Sequence, residues 1–204
     1  MSMRKKVAVI IAGGKSSRMK RDKALLPFGG FSTLSEYQYQ RLSGYFDKIY
    51  LSAKNNKFHF LIEIIKDRYE VSSPLVAIAS IFETLEVEEL FVLSVDTPFV
   101  SLETIERLYQ EAEVSTIADV ILATSPNGVE PLCAIYRRSS LPLAQEFLAK
   151  DKHRLQSFLD DLNCTTVMFE NEKDFINLNH PQEYEKARLN DSLQASDESS
   201  SLQN

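Results

Sequence analysis

Short apolar runs rich in β-branched residues alternate along this chain with segments whose apolar residues recur at helical spacing. The runs at 7–11 and 90–95 are almost entirely apolar, which is typical of strands buried on both faces of a parallel sheet. Strands that alternate with helical segments indicate βαβ units. We therefore expect an α/β fold built on a mainly parallel sheet.

The same pattern predicts the individual elements. The predicted strands are 7–11, 48–53, 60–65, 90–95, 119–123, 132–136, 165–169 and 175–178, and the predicted helices are 34–46, 74–85, 102–112, 141–149, 152–162 and 181–188. We expect residues 1–189 to form a single domain. Residues 190–204 are mostly Ser, Gln, Asn and acidic residues, which predicts a disordered tail.

Charge and cysteine content exclude several classes of protein. The formal net charge of -6 argues against general nucleic-acid binding, which requires a basic face. Cys133 and Cys164 have neither C-x-x-C spacing nor a nearby histidine pair, so we expect free thiols rather than a disulfide framework or zinc site. Since the apolar runs are too short to span a bilayer, we expect a soluble, cytoplasmic protein without a membrane partner.

A glycine pair and a cluster of cations follow the first predicted strand. Gly13 and Gly14 allow a sharp turn and bring main-chain N–H groups close to an anion. Five cations then occur within ten residues: Lys15, Arg18, Lys20, Arg21 and Lys23. Their mutual repulsion favours an anionic ligand, and phosphate is the obvious candidate. The alternative is a turn that ends the strand beside a solvated charge cluster, because the spacing matches neither a Walker A loop nor G-x-G-x-x-G.

The whole stretch from Ala12 to Pro27 is more specific than its glycines. It reads A-G-G-x-S-x-R-M-x-x-D-K-x-L-L-P, which resembles the signature of nucleotidyltransferases with a Rossmann-like N-terminal half. Within that superfamily it is most similar to the molybdenum cofactor guanylyltransferases. The resemblance implies a three-layer α/β fold of the nucleotide-diphospho-sugar transferase type, with a Rossmann-like, mainly parallel sheet and helices on both faces. It also implies a nucleotide-binding half over about residues 1–100 and an acceptor-binding half over about 101–189.

The resemblance also implies the reaction. GMP would pass from GTP to the terminal phosphate of molybdopterin, giving a pterin guanine dinucleotide and pyrophosphate, with Mg²⁺ as cofactor and molybdoenzyme-maturation proteins as the protein partners. Other readings stay open. They are a cytidylyltransferase acting on the same pterin or on another phosphorylated small molecule, a sugar-1-phosphate nucleotidyltransferase, and a catalytically silent GTP-binding relative.

A second candidate site residue lies at the end of the strand predicted over 90–95. Asp96, in Ser94-Val95-Asp96-Thr97-Pro98-Phe99, is expected at the carboxyl edge of the sheet, where open α/β folds bind their ligands. A bound triphosphate brings Mg²⁺, which takes one or two protein carboxylates together with phosphate oxygens. Asp96 is therefore the predicted metal ligand, as the family pattern x-x-D-x-P-F/Y also implies. The structural alternative is an Asx-turn or a cap for the helix beginning near Ser101.

Three further segments resemble the family more weakly. Residues 73–78 (S-P-L-V-A-I) have Ser73 and Ala77 where glycines are usual in the family. Residues 130–136 (E-P-L-C-A-I-Y) have Glu130 where the family usually has a basic or aromatic-type residue. In 175–181 (F-I-N-L-N-H-P), Asn177 and Asn179 would share one face of a strand and could both meet a ligand. Asn179 could equally cap the following helix. His59, His153 and His180 are expected at the surface.

The resemblance finally assigns residues to individual tasks. Transfer would depend on Arg18, Lys23 and Asp96, with Gly13 and Gly14 on the phosphates. The main chain of Ile11 and Ala12 would read the base in a pocket lined by Ser52 and Asp67. Because the attacking acceptor is an ionised phosphate, no general base is required, and catalysis would consist of positioning and charge neutralisation.

Overall fold

The computed structural model describes residues 6–13 and 21–188. The strands are β1 (Val7–Ile11), β2 (Lys48–Ser52), β3 (Glu63–Ile65), β4 (Glu89–Ser94), β5 (Val120–Ser125), β6 (Gly128–Arg137) and β7 (Cys164–Met168). The helices are α1 (Leu34–Ser43), α2 (Pro74–Thr84), α3 (Leu102–Val114), α4 (Leu141–Ala149), α5 (Leu155–Asp160) and α6 (181–188), and 3-10 turns occur at Lys23–Leu25, Arg138–Ser140 and Glu172–Phe175. In this part of the chain, every helix is too short or too polar to cross a bilayer.

All seven strands form one sheet in the order β3-β2-β1-β4-β6-β5-β7. Strand β1 pairs in parallel with both β2 and β4, whereas β6 runs antiparallel to β4 and β5. The chain leaves β1 toward β2 and β3, then crosses back to β4 on the other side of β1. The loops that follow β1 and β4 therefore run in opposite directions and leave a crevice between them at the carboxyl edge of the sheet. Such a crevice is the usual ligand site of these sheets.

Helices cover both faces of the sheet, as predicted. Within β1, Ala8 and Ile10 belong to a core formed with α1, α3 and α6, whereas Val7, Val9 and Ile11 belong to a core formed with α2, α4 and α5. Because successive side chains of a strand point to opposite faces, a run that is apolar at every position has to be covered twice. The apolar run at 7–11 therefore required the three-layer arrangement.

The predicted strand at 175–178 is wrong. The segment is a 3-10 turn over Glu172–Phe175 followed by irregular backbone. The buried carboxylate of Asp174 accepts hydrogen bonds from the main-chain N–H of Ser101 (3.1 Å) and the hydroxyl of Thr104 (2.7 Å) at the start of α3. Side-chain bonds rather than a strand ladder thus hold this segment. The predicted strand at 60–65 and helix at 152–162 are shorter than expected, and the predicted tail at 190–204 lies outside the described residues.

Strand β6 contains a bulge next to the crevice. Leu122 of β5 pairs with Ala134, but the next β5 residue, Ala123, pairs with Glu130, so residues 131–133 have no β5 partners in the ladder. Pro131 lies in this bulge, where its missing N–H removes no ladder bond. The bulge brings Leu132 to the mouth of the crevice, where it lines two adjoining cavities.

Candidate active site

The segment that carries Lys23 is fixed by polar contacts at both ends. The Asp22 carboxylate caps the 3-10 turn by accepting from the N–H of Ala24 (3.1 Å), and it also contacts the ammonium of Lys57. The hydroxyl of Ser35 on α1 donates to the carbonyl of Ala24 (2.9 Å), which is fully buried. The main chain at Lys23 is therefore held against α1, and its side chain extends from a fixed position.

The Lys23 ammonium contacts two residues that are far from it and from each other in the sequence. Its Nζ donates to Oδ2 of Asp96 (2.9 Å) and to Oδ1 of Asn179 (2.6 Å). The side chains of Lys23 and Asp96 are only 14% and 17% exposed. Partial burial reduces screening by water, so the pair interacts more strongly than a surface ion pair. Three predicted site residues thus meet at the carboxyl edge of β1 and β4.

The turn after β4 directs the Asp96 carboxylate into this cluster. The hydroxyl of Ser94 donates to Asp96 Oδ1 (2.5 Å), and the main-chain N–H of Leu178 donates to the Asp96 carbonyl (2.8 Å). Helix α3 is capped by Ser101, whose hydroxyl accepts from the N–H of Thr104 (3.1 Å). The capping alternative for Asp96 is therefore wrong, and its carboxylate lies in the cluster.

The two asparagines of the 175–181 segment make different contacts. Because the segment is not a strand, Asn177 and Asn179 do not share a ladder face, and the Asn177 amide donates instead to the carbonyl of Phe175 (3.1 Å). The Asn179 side chain does not cap α6. Its oxygen accepts from Lys23 instead, and Glu183 in the first turn of α6 accepts from the N–H groups of Asn179 and His180 just before the helix, both at 2.7 Å.

The main chain at 11–13 runs along the crevice in a defined position. The N–H of Ala12 donates to the carbonyl of Ser52 (2.9 Å), and the carbonyl of Ile11 accepts from the N–H of Val95 (3.0 Å). A Cβ added at Gly13 would meet only the carbonyl oxygen of Ser52, at an ordinary 3.8 Å. The described protein neighbours therefore do not require a glycine at this position, and the small residue leaves the main chain open to a ligand.

Two adjoining cavities occupy the crevice. A cavity of about 230 Å³ lies around Lys23 and Asp96 and is lined by Ile11, Ala12, Gly13, Asp22, Lys23, Ala24, Ser94, Val95, Asp96 and Leu132. A cavity of about 270 Å³ is lined by Ile11, Gly13, Ser52, Asp67, Ser72, Ser73, Pro74, Ala77, Ser94 and Leu132. The first is charged and the second is bounded by hydroxyls, one carboxylate and apolar groups. Their linings suit a ligand with a charged end in the first cavity and a polar, partly apolar end in the second.

Some of the predicted site residues lie outside the described residues. These are Gly14 and Arg18, together with the loop cations Lys15 and Lys20. Their assigned roles stay predictions. Ile11, Ala12, Gly13, Lys23, Ser52, Asp67 and Asp96 line the two cavities, Asn179 contacts Lys23, and Asn177 is held by its own segment.

The chain matches the family model of the MobA-like NTP transferase domain over residues 8–166. This chain belongs to the MobA-like NTP transferase family. A molybdenum cofactor guanylyltransferase from Campylobacter jejuni subsp. doylei is 37% identical over 180 residues, which cover 87% of this chain and 93% of the relative. A protein of the same name from Helicobacter pylori is 33% identical over 184 residues, covering 88% and 90%.

Solved structures agree on the fold of this MobA-like protein. Molybdopterin-guanine dinucleotide biosynthesis protein A from Archaeoglobus fulgidus superposes with a TM-score of 0.79 at 20% identity, covering 91% of this chain and 98% of that one. A CMP:2-keto-3-deoxy-manno-octonic acid synthetase superposes with a TM-score of 0.75 at 16% identity, covering 95% and 99%. At such identities the likeness shows the fold alone. The predicted family, fold class and enzyme class, a nucleotidyltransferase, are confirmed.

One feature of the second cavity was not predicted from the sequence. His153, expected at the surface, lies with its Nδ1 3.3 Å from the hydroxyl of Ser73, and its Nε2 lies 3.0 Å from Oδ1 of Asp151. Ser73 also caps α2 by accepting from the N–H of Val76 (3.2 Å). The three side chains therefore link the loop before α5 to the cavity wall. Ser73 and His153 are 80 residues apart in the sequence.

The charged cavity fits a metal ion that is bound together with a substrate. In the described part of the chain, no cluster of three or more His, Cys, Asp or Glu residues is arranged to hold a metal by itself. Oxygen atoms of Asp96 and Asn179 nevertheless converge on one positive charge, the Lys23 ammonium. Mg²⁺ prefers oxygen ligands and keeps several waters, so it commonly uses one or two protein groups and substrate phosphates. The donor set suits a divalent cation that is also bound to phosphates of a substrate better than a site formed by the protein alone.

Proposed function

We propose that this MobA-like protein transfers GMP from GTP to the terminal phosphate of molybdopterin and releases pyrophosphate, with Mg²⁺ held at Asp96. The observation that carries the proposal is the Lys23 ammonium, which bridges Asp96 and Asn179 beside the open main chain at Gly13. The names of the curated relatives support the same reaction. Incubation with each radiolabelled nucleoside triphosphate, Mg²⁺ and molybdopterin, followed by identification of the base in the dinucleotide, tests it directly.

The charged cavity would hold the triphosphate. The main chain at Gly13 and the Lys23 ammonium face the same space of about 230 Å³, so the phosphates would receive both hydrogen bonds and positive charge there. The turn fixes the main chain of Lys23, so contact with phosphate oxygens would require a movement of its side chain alone. Arg18, predicted from the sequence motif, would add a second cation to the same phosphates.

Asp96 and Asn179 would hold Mg²⁺ in the complex with the nucleotide. When bound, the ion would neutralise charge on the phosphates as pyrophosphate leaves. Lys23 would move from its two oxygen partners toward a phosphate oxygen, since its ammonium cannot share their position with a second cation. The hydroxyl of Ser94, bonded to one oxygen of Asp96, would keep the other oxygen directed into the cavity.

The chemistry asks for no proton transfer by the protein. The attacking atom is an oxygen of an ionised phosphate, which displaces pyrophosphate in line at the α-phosphorus. Catalysis is then positioning of the two substrates and stabilisation of charge, which fits a cavity lined by Lys23, Asp96 and main chain. The set formed by Ser73, His153 and Asp151 lies at the other cavity, and its serine is engaged as a helix cap.

We assign the second cavity to the base. Asp67 is an acceptor-only carboxylate, and one of its oxygens already accepts the hydroxyl of Ser72 (2.9 Å). Its remaining lone pairs suit the adjacent N1–H and N2–H donors of guanine. Cytosine has an acceptor where guanine has N1–H, so a lone pair of the base would face a lone pair of the carboxylate and the two would repel each other. Ser52 and Ser73 add hydroxyls to the same wall.

GTP should exceed CTP and ATP by at least about tenfold in kcat/KM, because each buried polar mismatch costs about 1–3 kcal/mol. The Asp67→Asn variant places an amide where the carboxylate stood, and we expect it to reduce this preference. Steady-state kinetics with the three nucleotides and molybdopterin measure both effects. The exposed neighbour Glu70 provides the control variant Glu70→Gln, which should behave as wild type. A preference of the wild-type protein for CTP would contradict the guanylyl assignment and leave the nucleotidyltransferase class intact.

The two asparagines of the 175–181 segment should differ sharply when replaced. Asn179→Ala removes an oxygen from the cluster around Lys23, so we expect kcat to fall by about tenfold or more, since a hydrogen bond to a charged group contributes about 1.5–3 kcal/mol. Asn177→Ala removes only a bond to the carbonyl of Phe175 and should retain most activity. Turnover of both variants at saturating GTP provides the comparison. Equally large losses of turnover would mean that both residues contact a ligand, as the predicted strand would have allowed.

A further inference from the structure

A fully buried glutamine lies beneath the turn that carries Asp96. Gln38 on α1 is 0% exposed. Its Nε2 donates to the main-chain carbonyl of Thr97 (3.0 Å) and lies 3.4 Å from the carbonyls of Ser94 and Val95. These carbonyls lie at and just beyond the end of β4, where the sheet ladder ends. The amide of Gln38 thus binds the main chain of the turn to α1.

Arg41 fixes the direction in which the Gln38 amide points. Nε and Nη2 of Arg41 donate to Oε1 of Gln38 at 3.2 and 2.6 Å, and Nη1 contacts the carbonyl of Val100. If the amide were rotated, its NH₂ group would face the guanidinium and its oxygen would face the carbonyls of the turn. Burial lowers the pKa of Arg41, and the charge is balanced partly by the carboxylate of Asp174. Residues 94–100 are therefore held to α1 by one oriented pair of side chains.

We propose that Gln38, oriented by Arg41, is a positioning residue for the Asp96 carboxylate. It fixes the main chain at 94–97, and this main chain in turn fixes the hydroxyl of Ser94 on Asp96 and the Asp96 carbonyl on the N–H of Leu178. A displacement of the turn would therefore move both Asp96 and the segment that carries Asn179. The inference rests on the proposed function, in which these two residues hold Mg²⁺ together with GTP.

The Gln38→Glu variant tests the proposal with little change in shape. A carboxylate keeps the partner of Arg41 but replaces the two N–H donors by an oxygen that repels the carbonyls of the turn. We expect the affinity for Mn²⁺, measured by electron paramagnetic resonance at saturating α,β-methylene GTP, to fall by about 10- to 100-fold, the usual loss when a group that orients a metal ligand is removed. Turnover should fall with it while KM for GTP stays near the wild-type value.

Hydrogen exchange supplies a readout without ligand or turnover. The peptides that cover 94–100 and 175–180 should exchange faster in Gln38→Glu than in wild type, because the N–H of Leu178 depends on the Asp96 carbonyl. The matched control is Gln40→Glu, which adds the same charge to an exposed position of the same helix and should leave metal affinity and exchange unchanged. A folded Gln38→Glu protein with wild-type Mn²⁺ affinity and wild-type exchange would overturn the proposal.

Two further variants, Arg41→Lys and Asp96→Asn, complete the test. Arg41→Lys retains the charge but loses the planar fork that orients the amide. The affinity for Mn²⁺ should fall in this variant as well. If Gln38→Glu does not fold, Arg41→Lys replaces it as the test, and wild-type Mn²⁺ affinity in Arg41→Lys would overturn the proposal. Asp96→Asn separates the two hypotheses. Normal Mn²⁺ affinity there would overturn the proposed metal role itself, whereas loss in Asp96→Asn without loss in Gln38→Glu would overturn only the positioning role.

Discussion

The Asp96→Asn variant is expected to fold normally and to lose at least about a hundredfold in kcat, as when a preorganised group that stabilises the transition state is removed. The amide has the size of the carboxylate and still accepts the hydroxyl of Ser94, so the turn is retained. What disappears is the negative charge that would hold Mg²⁺ on the nucleotide. Single-turnover kinetics across a Mg²⁺ titration measure the loss, with far-UV circular dichroism as the test of folding.

The control for this experiment is Asp161→Asn, which removes a carboxylate from an exposed position at the end of α5. It should leave turnover and its Mg²⁺ dependence unchanged. Near-normal turnover of Asp96→Asn at saturating Mg²⁺ would remove Asp96 from the metal site. The contact between Lys23 and Asp96 would then be a structural ion pair.

The Lys23→Ala variant should weaken GTP binding and slow transfer by about 10- to 100-fold in kcat/KM, because contacts to charged groups contribute about 1.5–3 kcal/mol. Among the described residues, Lys23 is the cation that lines the charged cavity, and its ammonium contacts Asp96 and Asn179 there. Isothermal titration with GTP and steady-state kinetics separate the loss of binding from the loss of turnover.

Lys57 provides the matched control for Lys23. Its ammonium contacts the carboxylate of Asp22, one residue before Lys23, and its side chain is 30% exposed. Because a partly exposed ion pair contributes only about 0–1 kcal/mol, Lys57→Ala should change kcat/KM by a few-fold at most. Equal and small losses in both variants would mean that the cations of this region form a solvated surface cluster, the alternative that the sequence left open.

Local patterns were sufficient to predict most of the sheet and half of the site. The apolar run at 7–11 predicted a strand covered on both faces, and it lies at the centre of the sheet. Asp96 was predicted correctly at the carboxyl edge because it directly follows such a strand. Lys23 followed from the motif at 12–27. These features depend on residues close together in the sequence, where strand period, glycine content and charge are visible.

The tertiary structure decided the features that depend on distant neighbours. Asn177 and Asn179 have the same side chain, but their irregular segment is held by bonds from Asp174 to the start of α3, and the two residues make different contacts. His153 meets Ser73 because the loop before α5 packs beside the N-terminus of α2. Residues without a motif gave no sequence signal for such contacts.

Gln38 and Arg41 show the same limit most clearly. Both are polar and belong to no motif, so the sequence does not distinguish them from exposed polar residues of the same helix, such as Gln40. The sequence by itself determined the alternation of strands and helices, the family motif at 12–27 and the carboxylate at the sheet edge, because each is a local property of the chain. Only the tertiary structure decided which polar residues are buried, because burial depends on the packing of α1 against the turn at 94–100 and not on the residues of α1 alone.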